Sequence, residues 1–228
     1  MTEPTVRPRL HEAMPALVLG LASAVGLLAT LVARGSTAAF DRAVLLALRV
    51  PGDASDPLGP AFVEEAMRDV TALGGHAVLT LVTLAVAVYL LMAGKRGAAL
   101  LVVAAVGGGM LLSTGLKLLV DRARPDLVPH GQYVYTASFP SGHAMIAAAT
   151  YLTLGLLVAR LSPRRRAKAF AVGVAVLVTL GVGASRVYLG VHWPTDVLAG
   201  WAGGGAWAAL VWLVAIRLQG RGRVERAG

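Results

Sequence analysis

The chain has no cysteine. Disulfide bridges, thiolate nucleophiles and cysteine metal centres are therefore excluded, while the redox compartment is left open. Charge is scarce as well. Only 14% of the 228 residues are Asp, Glu, Lys or Arg, against about 25% in an average soluble domain. Acid is scarcer than base, with 12 acidic and 21 basic side chains and a formal net charge of +9. Hydrophobic residues make up 57% of the chain and its mean hydropathy is +0.70, a balance that excludes an ordinary soluble domain. A basic surplus can signal nucleic acid. Here the charges lie between long apolar runs, so the partner they indicate is a bilayer and no nucleic acid. The length fits a single domain over 1–228.

Six apolar runs are long enough to span a membrane: 14–33, 72–94, 98–116, 141–159, 169–185 and 197–216. Each has about 17 to 23 residues, and a hydrocarbon core about 30 Å thick needs about 20 in a helix. Lipid offers the backbone no hydrogen bonds, so the expected fold is all-α, a bundle of six transmembrane helices. The glycine triplets at 107–109 and 203–205 invite comparison with a phosphate loop. Inside apolar spans they read as small residues that let helices approach closely. The first run could instead be a cleaved signal sequence ending near "GSTAA" at 35–39, but it is longer than a signal core, and a retained helix is the expectation.

Segment 34–71 is longer than a turn requires. "AAFDRAVLLALRV" puts Phe40, Val44, Leu45 and Leu48 on one side of a helix and Asp41, Arg42 and Arg49 elsewhere. A second helical stretch, "AFVEEAMRDV", follows "PGDASDPLGP". Amphipathic helices of this kind lie in a membrane interface, as a collar on the helix ends or as a guide for substrate.

Positive charge sorts the loops. The N-terminus, 94–96, 160–168 and the C-terminus together hold 13 of the 21 basic residues. Cytoplasmic loops carry such an excess, so both termini are expected in the cytoplasm and the loops 34–71, 117–140 and 185–196 outside. The basic tail 219–228 would lie near anionic headgroups.

Three polar clusters fall at helix ends on that outer face: "KLLVDRARP" from Lys117 to Pro125, "PSGH" from Pro140 to His143, and "SRVYLGVHWPTD" from Ser185 to Asp196. Lys117, Arg124 and Arg186 supply three cations. Ser141 stands where a helix begins, and the free N–H groups of a helix N-terminus attract anions. Arginine forks match phosphate oxygens in pairs and lysine adds a point charge. Such an ensemble suits a phosphate or a phosphoryl group in transit.

The same clusters carry reactive groups. Asp196 follows His192 by four residues, with Pro194 suited to the first turn of the last helix. A carboxylate there can hold one imidazole nitrogen protonated and leave the other bare to attack phosphorus, giving a phosphohistidine. His143 can protonate the leaving oxygen and later activate water. This chemistry needs no metal and no cofactor, and the carboxylates are too few and scattered to suggest a metal cage. Each residue also has a plainer reading. Asp196 and Ser141 could only cap helices, Lys117 and Arg186 could only snorkel to headgroups, and "HWP" could be an interfacial anchor. All of these together would have to coincide on one face.

In order and spacing the clusters resemble the type 2 phosphatidic acid phosphatase superfamily, the lipid phosphate phosphatases. The family pattern runs K-x6-R-P, P-S-G-H, S-R-x5-H-x3-D. Lys117 precedes Arg124–Pro125 by six residues, Pro140 to His143 is complete, and Ser185–Arg186, His192 and Asp196 complete the third motif. The resemblance implies that Lys117, Arg124, Ser141, Gly142, His143 and Arg186 hold the phosphate. It implies His143 as acid, His192 as nucleophile and Asp196 as its orienting partner. Ala123 departs from the proline that relatives often carry in an R-P-R-P run, which removes stiffness but no functional group. The implied substrate is a lipid phosphate on the outer leaflet: polyprenyl diphosphate, phosphatidylglycerol phosphate, phosphatidic acid or a phosphorylated glycolipid.

Two other readings stand beside hydrolysis. A phosphotransferase would use the same nucleophile with an alcohol in place of water. A transporter or structural protein would be expected to hold charge at mid-membrane. No charged side chain lies at mid-span, and His76 sits near the outer end of its helix. His130, Tyr133 and Tyr135 could shape headgroup specificity or be ordinary loop residues. Oligomeric state leaves no trace in the sequence.

Overall fold

The computed structural model describes residues 8–127 and 136–220, with the side chains of 8–12 and 219–220 left aside. His130, Tyr133, Tyr135 and residues 221–228 of the basic tail therefore lie outside the described residues. The described chain is mainly helical. Helix α1 (Pro8–Ala33) is followed by α2 (Ala38–Leu46), a two-stranded antiparallel ribbon of β1 (Arg49–Val50) and β2 (Asp53–Pro57), and α3 (Ala61–Ala72). Then come α4 (His76–Met92), α5 (Arg96–Leu119), α6 (Gly142–Leu161), α7 (Arg165–Tyr188) and α8 (Pro194–Gly220).

Five helices are long and apolar enough to cross a membrane: α1, α5, α6, α7 and α8. α3 and α4 together pass the same test but bend by 48° at Leu73–Gly75. The run 72–94 thus forms a helix only from His76. Its first residues belong to α3 and to a break at two glycines, which are poor helix formers. Segment 34–71 holds the two expected helices, and between them "PGDASDPLGP" contributes a hairpin that turns at Gly52, where φ is 91°.

The bundle wraps α6. Ala144 to Ala149 are fully buried, and α5, α7 and α8 all pack on this helix. Gly109, Gly203 and Gly204 of the two triplets serve that packing, while Gly107 faces open space. A methyl group at Gly204 would run into the Met145 carbonyl and lie 2.6 Å from Ala148 Cβ, so only glycine lets α8 lie this close to α6. The outer faces carry exposed Leu81, Leu111, Phe170 and Leu177, the reverse of a soluble protein.

The interfacial segment is a collar on one end of the bundle. Leu45 is fully buried in a cluster with Ala144, Val187, Trp193 and Val197, joined by Val44 and Leu48. Phe40 is exposed. The ribbon docks on α7 through Arg49 Nη1, which donates to the Tyr188 carbonyl at 2.8 Å, while Tyr188 Oη donates to the Leu58 carbonyl at 3.1 Å.

Candidate active site

Four helix ends meet beneath the collar. α5 brings Lys117 and α7 brings Arg186 in their last turns, while α8 begins at Pro194 with Asp196 in its first turn. α6 begins after Ser141, whose N–H donates to the Asp196 carbonyl at 2.9 Å and ties the starts of α6 and α8 together. The first-turn N–H groups of α6 have no acceptor within their own helix. A methyl group at Gly142 would lie 3.4 Å from Ser113 Oγ and 3.8 Å from Lys117 Cε, so this glycine brings the start of α6 against the cationic end of α5.

His192 is buried at the centre. Arg124 Nη1 lies 3.2 Å from its Nε2. A guanidinium only donates, so Nε2 accepts and the ring proton sits on Nδ1. On that side Asp196 Oδ2 is 3.6 Å away, beyond hydrogen-bond length. Ser138 closes the gap: its hydroxyl donates to Asp196 Oδ2 at 2.5 Å and lies 3.3 Å from Nδ1. Imidazole, hydroxyl and carboxylate thus form one chain. Asp196 Oδ2 also accepts the Trp193 N–H at 3.0 Å, so the carboxylate caps its own helix and serves the histidine at once. Burial pushes the His192 imidazole down to about 4, against the opposing pull of Asp196. At neutral pH the ring is uncharged.

Cations surround the bare nitrogen. Arg124 is pinned by Nε to the Thr136 carbonyl at 3.0 Å, by Nη2 to Thr136 Oγ1 at 3.1 Å and by Nη1 to the Val191 carbonyl at 3.0 Å. Burial lowers its guanidinium from the usual value. Lys117 Nζ donates to the Ala137 carbonyl at 2.5 Å and interacts with Arg124, Arg186 and Asp196. Arg186 is buried, and its Nη1 donates to Thr71 Oγ1 at 3.1 Å. Lys117 and Arg186 turn into the protein and do not snorkel to headgroups. His143 is near enough to Arg186, His192, His76 and Arg124 to feel their charge. Of the five buried side-chain polar atoms without a hydrogen-bond partner among the described residues, two lie here, Ser141 Oγ and Arg186 Nε. Leaving such groups unpaired costs about 1–3 kcal/mol each.

All eight residues singled out by sequence come together here: Lys117, Arg124, Ser141, Gly142, His143, Arg186, His192 and Asp196. Sequence reasoning missed Ser138, Arg122, Asp41 and Thr195. Trp193 is buried, with Nε1 donating to the Ala123 carbonyl at 3.0 Å, so it is no interfacial anchor. His76 opens α4 with its ring centroid 6.2 Å from that of His143. Among the described residues no group of three or more His, Cys, Asp or Glu is placed to hold a metal ion.

A helical bundle with apolar outer faces and one polar, histidine-centred end defines a class of integral membrane protein. Comparison with known proteins supplies the family. The model of the PAP2 superfamily matches residues 97–219, and the chain belongs to that superfamily. It is 35% identical to phosphatidylglycerophosphatase B of Bacillus subtilis over 142 residues, 62% of this chain and 70% of the relative. It is 37% identical to an undecaprenyl-diphosphatase of Sulfolobus acidocaldarius over 91 residues, 39% of this chain and 37% of the relative. The crystal structure of a transmembrane PAP2 type phosphatidylglycerolphosphate phosphatase from Bacillus subtilis superimposes with a TM-score of 0.80 at 28% identity. That match covers 88% of this chain and 96% of the other.

Proposed function

We propose that the protein is an integral-membrane lipid phosphatase that removes a phosphate from a lipid phosphate monoester or diphosphate through a phosphohistidine on His192. The observation that carries the reading is His192 itself: buried, neutral, with Nδ1 linked through Ser138 to Asp196 and Nε2 facing Arg124. In the first step Nε2 attacks phosphorus and the bond from phosphorus to the leaving oxygen breaks, while His143 gives that oxygen its proton. In the second step His143 takes a proton from water, the water oxygen attacks phosphorus, and the P–N bond breaks to release inorganic phosphate. Lys117, Arg124, Ser141, Gly142 and Arg186 hold the phosphoryl oxygens. Both steps run without a metal ion.

Six crossings, with α4 as the second, put both termini on one side. The charge bias of the loops makes that side the cytoplasm, so the site faces the outer leaflet and a lipid headgroup enters laterally under the collar. The names of the relatives support phosphatidylglycerol phosphate and a polyprenyl diphosphate as first substrates.

The test is phosphate release by purified protein in detergent with a chelator present. Phosphatidic acid, phosphatidylglycerol phosphate and a polyprenyl diphosphate are offered in parallel, with His192→Ala alongside. Release by the wild type and none by the variant is expected. Equal silence on every lipid would overturn the reading.

A further inference from the structure

Asp41 lies on the collar helix α2, 155 positions before Asp196 in the chain, and is fully buried. Its Oδ1 accepts the Thr195 N–H at 2.9 Å and its Oδ2 accepts Thr195 Oγ1 at 2.8 Å. A carboxylate from α2 thus caps the N-terminus of α8, where an anion is favoured. Arg122 spans the space to the catalytic end. Its Nη2 meets Asp41 Oδ2 at 2.6 Å, while its Nη1 meets Asp196 Oδ1 at 2.6 Å and Thr195 Oγ1 at 2.8 Å. The guanidinium also stacks over Trp193, with Cζ 5.5 Å from the ring centroid. Asp41 lies outside the motifs assigned above, and Arg122 is one of the six positions between Lys117 and Arg124 that were given no role.

We infer that Asp41 and Arg122 are positioning residues for the reaction, a buried strut that fixes the Asp196 carboxylate and preserves its negative charge toward His192. The inference rests on the proposed role of His192. Arg122 occupies Oδ1 of Asp196, which leaves Oδ2 to face Ser138 and the imidazole. A lone arginine bonded to Asp196 would cancel its charge, in a setting where charges are weakly screened. Asp41 restores the balance, so that the trio carries a net charge of one unit negative. A capping role alone would need an acceptor at position 41 and no charge. The strut needs both.

Asp41→Asn separates the two roles, because asparagine keeps an acceptor for the Thr195 N–H but puts an uncharged NH2 donor where Oδ2 accepted from Arg122 and Thr195 Oγ1. The groups facing His192 that stay in place are Asp196, Arg124, Arg186 and His143. The readout is the titration of the His192 imidazole in the full chain in detergent, followed by nuclear magnetic resonance with 15N-labelled histidine. The signal is assigned by its absence in His192→Ala. Asp41→Asn should move the midpoint about one pH unit lower. The double variant Asp41→Asn/Arg122→Gln has the wild-type net charge, and its midpoint should return to within a few tenths of the wild type. On the best lipid of the panel, Asp41→Asn should lower kcat about tenfold with KM nearly unchanged.

A folded Asp41→Asn that titrates as the wild type overturns the inference. If that variant does not fold, Arg122→Gln decides: it removes the cation from Asp196 Oδ1 and should raise the midpoint by about one pH unit, and a midpoint no higher than the wild type overturns the inference. The titration does not require turnover. Wild-type inactivity on every lipid would therefore count against the phosphatase reading, while the titration still judges the strut.

Discussion

Replacing Gly204 by alanine would put a methyl group into the contact between α8 and α6, against the Met145 carbonyl and 2.6 Å from Ala148 Cβ. Carbon atoms in contact settle at about 3.5–4.0 Å, so the two helices must part by about 1 Å. The obstacle is partly backbone and cannot swing aside. Overpacking of this kind costs about 1–3 kcal/mol, a fall in melting temperature of roughly 2–12 °C for a chain of this size. The same displacement reaches the site, because one turn earlier on α8 a methyl group at Gly200 would already lie 2.8 Å from the Ser141 carbonyl. The bond from Ser141 N–H to the Asp196 carbonyl, 2.9 Å long, would open, and a misplacement of about 1 Å can cost about a hundredfold in rate. The internal control is Gly107→Ala, where no atom lies within 4 Å and alanine favours the helix by about 1 kcal/mol. Thermal melting and phosphate release in detergent read both variants. Gly204→Ala should lose stability and rate together, and Gly107→Ala should lose neither. A Gly204→Ala protein that melts and turns over as the wild type would refute the packing argument.

Ser138→Ala removes the hydroxyl between His192 and Asp196. It should lower kcat by roughly ten- to a hundredfold with KM little changed, since the lost contact orients the nucleophile and does not bind substrate; a change under about twofold would contradict the relay. The pH dependence of kcat on saturating lipid should follow His192, whose imidazole burial holds at about 4. The nucleophile is the neutral form, so activity is present above that value and is lost as pH falls through it. An acid limb that stays near 6.5 in every substrate would show a histidine unperturbed by burial.

The convergence of the motif residues was legible before any coordinates because a candidate phosphate site calls for their types together: three cations, a helix start at Ser141, and His192 four residues from Asp196. Five of the expected spans were legible because lipid forces helix on an apolar run, while 72–94 belongs to a bent pair of helices. What could not be read is what distant segments do to one another. Asp41 looks like an ordinary acid on an amphipathic helix until α8 is laid beside it. Its spacing of four from Leu45, a fully buried residue, is the one local signal that it faces inward. Ser138 and Arg122 sit within or beside the motifs yet carry no pattern of their own. The ribbon at 49–57 escaped because its first strand has two residues and its register is irregular, too short for alternation to be seen. The break at Leu73–Gly75 was hidden because its local signal, Gly74 and Gly75, sits at the edge of a run that is apolar from Ala77 onward.

The central claim is the covalent step on His192. Purified protein would be mixed with 32P-labelled lipid phosphate, quenched in alkali, where a phosphohistidine survives, and digested for mass spectrometry. Label on His192, absent from His192→Ala, is the result this account predicts. Turnover with no labelled protein at any quench time, or label on a different residue, would contradict it.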